Sequence, residues 1–193
     1  MKQKHIRSAR LHSTPALVAH TFAAHLRIRE SMAGSSAPLI FLDIDGVICC
    51  NDHRLLEDEK LKQLQRICKA TGASVVLSSD WRRQQPLKQK VQRALQRLKI
   101  TYVGATSVQT RIEVAGNWRM EINPRPVEIT DWLRKYRKDA TADQLRWVAI
   151  DDRDLVKEDG GKQLEGHFVI TEAWWGLTSE RADAAIAILR GQA

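Results

Sequence analysis

Leu39-Ile40-Phe41-Leu42-Asp43-Ile44-Asp45-Gly46 is the stretch on which the fold turns. A short, continuous apolar run reads as a strand buried on both faces, as in a parallel sheet. It ends in two carboxylates two positions apart, followed by glycine. Residues i and i+2 of a strand point to the same side. Where the chain leaves the sheet at its carboxyl end, Asp43 and Asp45 can therefore face one crevice, the place where open α/β sheets bind ligands. Unpaired carboxylates are costly to bury unless a cation or a reaction uses them, so the pair points to a Mg²⁺-type catalytic site.

Outward from this stretch, strand and helix patterns alternate. Leu61, Leu64, Ile67 and Cys68 make a helical stripe closed by Gly72, and Val75-Val76-Leu77 is a second strand. Pro86 stands like a first-turn residue of a helix whose apolar face is Leu87, Val91, Ala94, Leu95 and Leu98. Ile100–Val103 reads as a third strand. Ile129, Trp132, Leu133 and Tyr136 follow helical spacing; Trp147–Ile150 and Phe168–Ile170 are strands four and five. Thr178 or Ser179 can cap a last helix that ends before Gly191. This order predicts an α/β fold: a mostly parallel five-stranded sheet with helices on both faces. Residues 104–124, with Gly104, Gly116, Asn117 and Pro124 around a strand-like Arg111–Val114, fit the alternation least and are expected to form a loop or small hairpin.

The chain of 193 residues, 43% apolar and 28% charged, suits one globular domain. No run approaches the ~18 apolar residues a membrane span needs. Cys49, Cys50 and Cys68 have no metal-ligand spacing and read as reduced thiols, so a cytoplasmic setting is expected. The net charge of +8 is uneven, because residues 1–38 carry six Lys or Arg against Glu30 alone. Mild basicity elsewhere is weak evidence for nucleic acid. Residues 1–37 are read as a basic, poorly packed extension and 38–193 as the domain. His20 and His25 interrupt the only apolar stretch there, which argues against a secretory segment. A transit peptide has this composition, and an initiator at Met32 is the other reading.

Other strand ends carry polar groups that would complete a site. Strand two runs into Ser78-Ser79-Asp80, strand four into Asp151-Asp152, and Arg125 precedes the helix leading to strand four. Taken alone, each has an ordinary explanation: a turn, a strand-end hydroxyl, a solvated cation. Together they supply a nucleophile, a proton donor, a phosphate clamp and a metal site, the parts that phosphoryl transfer needs.

Asp43-x-Asp45-Gly46-Val47, the run into Ser78, the later basic residue and the run into Asp151-Asp152 resemble the four motifs of the haloacid dehalogenase (HAD) superfamily. The finer pattern resembles the small HAD domains of Swiss-army-knife RNA-repair proteins. It comprises Leu77-Ser78-Ser79-Asp80-Trp81-Arg82, Arg125-x-x-Glu128-Ile129-x-x-Trp132-Leu133, Trp147 to Leu155 and Gly176-Leu177-Thr178. The resemblance spans residues 38 to about 180 and implies a Rossmann-like domain acting as a Mg²⁺-dependent phosphatase.

The resemblance implies the following roles. Asp43 would be the nucleophile that forms an aspartyl-phosphate. Asp45 would protonate the leaving oxygen and then activate water. Ser78, with Ser79 beside it, would hold the phosphoryl group. Arg125 would neutralise its charge, where many members have lysine. Asp151 would bind Mg²⁺ with Asp43 and the backbone carbonyl of Asp45, and Asp152 would assist. Arg111 and Arg119 compete with Arg125 for the clamp.

About eleven residues separate Asp45 from the helix start expected near Glu57, too few for a cap domain, so the site is expected to be capless or minimally lidded. An open site admits a large phosphorylated substrate, and nucleic acid is a possible partner. Residues 82–99 hold seven Lys or Arg and no acid, read either as a solvated helix face or as a basic surface beside the site. Trp174-Trp175 reads as core or interface packing before a base-stacking platform. A non-catalytic phosphate or nucleic-acid binding module, and a small-metabolite phosphatase, are the alternative functions.

Overall fold

Leu39–Leu42 forms strand β1, with all four side chains buried as a strand covered on both faces requires. In this computed structural model the described residues are 37–107, 110–114, 117–121, 123–136 and 145–192, with the backbone alone described over 110–121. Apart from Ala37, the expected basic extension lies outside them.

After β1 the chain runs through α1 (Asp58–Thr71), β2 (Ser74–Leu77), α2 (Gln85–Arg97), β3 (Tyr102–Ala105), β4 (Thr110–Val114), β5 (Asn117–Glu121), α3 (Arg125–Tyr136), β6 (Trp147–Asp151), β7 (Phe168–Ile170) and α4 (Ser179–Arg190). Five strands make one sheet in the order β3-β2-β1-β6-β7, and every pairing in it is parallel. The expected α/β class and five-strand count hold. β4 and β5 form a separate antiparallel hairpin between β3 and α3, where a loop or hairpin was expected.

Side-chain alternation assigns the two faces. Ile40, Leu42, Val75, Leu77, Val148 and Ile150 share one cluster with Leu61 and Leu64 of α1, Val91 and Leu95 of α2, and Ala182, Ala185 and Leu189 of α4. On the other face Phe41 meets Trp132 of α3 and Trp147 of β6 edge-on, with centroids at 5.5 and 5.8 Å. Such pairs add ~0.5–1.5 kcal/mol each to the area they bury.

Helix ends follow local chemistry. Gly72 and Gly191 stop α1 and α4 in the left-handed conformation at φ 72° and 69°. The Thr178 hydroxyl accepts from the Arg181 N–H and caps α4. The third strand begins two residues later than expected. Ile100 is apolar and buried, yet its N–H closes the end of α2 on the Leu95 carbonyl at 2.9 Å, so it belongs to the helix exit. Among the described residues no helix is long and apolar enough to cross a membrane.

Candidate active site

The strand order sets the location. From β1 the chain winds to β2 and β3 on one side, then returns to β6 and β7 on the other. The reversal falls between β1 and β6, and an open α/β sheet has its ligand crevice at the carboxyl ends of that pair. Main-chain bonds carry the ladder past the strand ends: Asp43 N–H donates to Ile150 at 3.0 Å and Ser78 N–H to Leu42 at 2.8 Å. Asp43, Ser78 and Asp151 therefore stand side by side at one sheet edge, all buried.

Arg125, the first residue of α3, projects into this group and is itself buried. Its Nη1 lies 3.0 Å from Asp43 Oδ1 and 2.6 Å from Asp151 Oδ2. One guanidinium thus spans two carboxylates that could not share the site uncompensated. Burial pushes the Asp43 carboxyl up to about 7, against the pull of Arg125, with the Asp151 charge adding to the rise and a bond from the Ser79 hydroxyl opposing it. For Arg125, burial works against the charge, but Asp43 and Asp151 outweigh it and raise its pKa. Arg111 and Arg119 lie on the β4–β5 hairpin, whose side chains are outside the description.

Asp152 completes an acidic triple. Oxygens of Asp43, Asp151 and Asp152 lie within 4.8 Å of one another. Burial, then the Asp151 charge, raises the Asp152 carboxyl. Gly46 makes room for it: φ is +67°, and a Cβ there would overlap the Asp152 carboxylate. The donor set fits a hard divalent cation, because all three groups offer oxygen and two are buried. The Ser78 Oγ supports an anion beside it. Among the described residues it is the only buried side-chain nitrogen or oxygen without a hydrogen-bond partner, and a buried hydroxyl left unpaired calls for a ligand to satisfy it.

Asp45 stands apart from that triple. Its Oδ2 accepts a 2.9 Å bond from Trp81 Nε1, and its side chain is exposed. Its loop is pinned from two directions. Gly46 N–H donates to Cys49, and the Gly46 carbonyl accepts from the buried Thr171 hydroxyl at 2.8 Å. Ser79, at the head of a short 3-10 turn, accepts from Trp81 N–H at 3.3 Å. Trp81 and Thr171 carry no chemical motif of their own. Trp81 lies within the resembling segment Leu77–Arg82, and Thr171 is signalled only by its place just after β7.

Arg82 does not belong to a basic surface. Its side chain is buried, donating to the carbonyls of Ser78 and Thr106 and to Glu128 Oε2 at 2.5 Å. Burial lowers the Arg82 pKa against the pull of Glu128. Burial likewise lifts Glu128 to about 7, against Arg82 and Arg125. The motifs around Ser78 and Arg125 are thereby tied together. The remaining cations of 82–99 are divided between sheet edges, because α2 runs antiparallel to the strands. Lys90 sits 5.9 Å from the Trp81 ring and donates to the Arg54 carbonyl. Arg97 and Lys99 line a surface cleft with Gly72, Ala73 and Thr101, the residues that lead into β2 and β3. Lys99 is thus at the edge opposite the carboxylates, while the Arg97 guanidinium is paired with Asp58 at the start of α1.

The thiols of Cys49, Cys50 and Cys68 are unpaired, and burial raises all three.

The family model described as "HAD domain in Swiss Army Knife RNA repair proteins" matches residues 39–182. Neither the curated proteins nor the solved structures contain a match to the chain.

Proposed function

The chain belongs to the HAD domains of Swiss Army Knife RNA repair proteins, and from that premise we propose that it is a Mg²⁺-dependent phosphomonoester hydrolase acting through an aspartyl-phosphate on Asp43. One observation carries the reading: a buried cation, Arg125, between two buried carboxylates, Asp43 and Asp151, beside the unsatisfied Ser78 hydroxyl. A tetrahedral dianion meets there a nucleophile, a guanidinium and a free hydroxyl donor.

In the proposed sequence an Asp43 oxygen attacks phosphorus in line with the ester oxygen. The P–O bond to the alcohol breaks, and the departing oxygen takes the proton of Asp45. Water then attacks the phosphorus of the acyl phosphate and gives a proton to Asp45, and Asp43 leaves as the free carboxylate with inorganic phosphate. Arg125 and Ser78 neutralise and orient the transferring group, with Ser79 holding Asp43. Mg²⁺, held by Asp43, Asp151 and Asp152 with the Asp45 carbonyl, would screen charge on the phosphoryl oxygens. The short link between β1 and α1 leaves no room for a cap domain, which suits nucleotide or nucleic-acid terminal phosphates as substrates.

The test is turnover of p-nitrophenyl phosphate with and without Mg²⁺ in the wild type and Asp43→Asn. The substitution removes the nucleophile, so a loss of several orders of magnitude is expected. A metal-dependent wild-type rate that survives Asp43→Asn in a folded protein rejects the mechanism. Phosphate binding with no turnover in the wild type leaves a binding module instead.

A further inference from the structure

The chain exposes two tryptophans side by side. Trp174 is 79% exposed and Trp175 66%, in a protein whose other large apolar exposures among the described residues are Leu55 and the borderline Ile170. Indoles bury large areas when partnered, so two on one turn mark a binding surface.

Their turn is held rigidly against the catalytic loop. Trp175 and Gly176 both donate backbone N–H bonds to Glu172. Gly176 has φ +58°, and a Cβ there would stand 2.5 Å from both the Cys50 Sγ and the Val47 carbonyl. The next N–H, of Leu177, bonds that same Val47 carbonyl at 2.8 Å. At the other end of the turn, Thr171 grips the Gly46 carbonyl. Both anchors thus fall on the Asp45–Cys50 loop. Three residues of chain span at most ~11 Å, so Trp174 is held close to Thr171 and the crevice edge. The loop side of the flank carries both signs: Lys60 and Lys90 lie near the Cys50 and Cys49 thiols, and Glu57 lies near both. Trp175 also lines a shallow cleft of ≈ 260 Å³ with Arg181, Glu172 and Glu180.

A ligand that uses all of this must offer a terminal phosphate to Arg125 and flat π-faces to the indoles a short chain length away. Successive bases of a single strand do so, and stacking on aromatic side chains is tolerant of sequence. We propose that Trp174 and Trp175 form a stacking platform for the terminal bases of a phosphate-ended single-stranded nucleic acid. This rests on the phosphatase reading for the position of the phosphate.

The test measures binding by anisotropy of a labelled oligonucleotide to the full-length protein in EDTA. Three probes are compared: a phosphate-ended oligonucleotide, the same strand with abasic sites at its terminal positions, and an acidic phosphopeptide. The wild type should prefer the base-bearing strand over the abasic one by about tenfold or more, and Trp174→Ala and Trp175→Ala should each erase most of that preference. Equal affinity for base-bearing and abasic strands overturns the proposal. So does phosphopeptide binding that is as tight and as sensitive to the same substitutions, which marks a protein-docking face. The hydrolase reading is judged separately, by p-nitrophenyl phosphate turnover. A protein that turns this ester over without base preference loses only the platform; one that shows base preference without turnover loses only the hydrolase.

Discussion

Trp81 Nε1 donates to Asp45 Oδ2 at 2.9 Å, so the exposed carboxylate assigned to proton transfer is held by a buried indole. The indole ring is itself fixed in the core cluster, and Lys90 lies over it. A donor in that position restricts where Asp45 can deliver a proton. Trp81→Phe keeps most of the packing and removes the donor. The expected result is a fall in kcat for p-nitrophenyl phosphate with KM nearly unchanged, smaller than the ~10²–10⁴-fold loss expected of Asp45→Asn. Two groups acting as one unit are not additive, so the double variant should be no slower than Asp45→Asn alone. Fully multiplicative losses would show that Trp81 acts elsewhere.

The buried Arg82–Glu128 pair yields a stability prediction. Glu128→Ala leaves a guanidinium buried without its carboxylate, and breaking such a pair from one side costs ~3–5 kcal/mol. At ~2–4 °C per kcal/mol for a domain of this size, Tm should fall by roughly 6–20 °C. Replacing both residues, as Arg82→Met with Glu128→Met, should recover much of the loss. Calorimetry of the three variants checks this; a double variant less stable than Glu128→Ala would mean that the Arg82 bonds to Ser78 and Thr106 outweigh the ion pair.

Much of this was legible in the sequence for physical reasons. β1 and β6 are buried on both faces, so their unbroken apolar runs end where the polar site begins. α1, α2 and α4 keep their apolar stripes because each faces the sheet on one side only. Three matters escaped. Arg82 looks like one more cation of a basic segment, and only the fold shows its side chain enclosed. The division of that segment between two sheet edges depends on helix direction, which charge counting ignores. Trp174 and Trp175 read as packing residues because apolar side chains are usually inside, whereas these two are left in solvent by the tight turn at Gly176.

A metal prediction follows from the raised carboxyls. Asp43 and Glu128 both stand near 7 in the folded protein, burial being the main cause in each. A carboxyl raised above its unfolded value, ~3.9 for Asp and ~4.3 for Glu, contributes stability that is complete below that value and is lost as pH rises through the folded one. In EDTA, Tm should therefore decline between pH 5 and pH 8. Mg²⁺ favours ionised Asp43, so the rise in Tm on adding Mg²⁺ should be larger at pH 8 than at pH 5. Scanning fluorimetry with and without metal reads both slopes. A Mg²⁺ shift that is equal at the two pH values, or larger at pH 5, would remove Asp43 from the ligand set.

The placement of cations on α1 and α2 separates two sets of charges. Lys60 and Lys90 flank the Cys49–Cys50 segment of the Asp45–Cys50 loop, whereas Lys99 lines the cleft beside Gly72, Ala73 and Thr101 at the amino edge of the sheet, and Arg97 is already paired with Asp58 at 3.0 Å. Charges outside the pocket help only a polyanion long enough to pass over them, and the help is screened by salt. Lys60→Gln with Lys90→Gln should raise KM for a phosphate-ended oligonucleotide by several-fold at low salt, and the effect should fade above ~0.2 M salt, where the Debye length drops below about 8 Å. Arg97→Gln with Lys99→Gln should leave that KM within error, because a strand entering at the carboxyl edge does not reach Lys99 and Arg97 is already neutralised by Asp58. Steady-state kinetics of the two double variants at two salt concentrations decides. Equal effects from both pairs would mean that net charge alone draws the substrate, and a larger effect from Arg97 and Lys99 would place the strand on the opposite edge of the sheet.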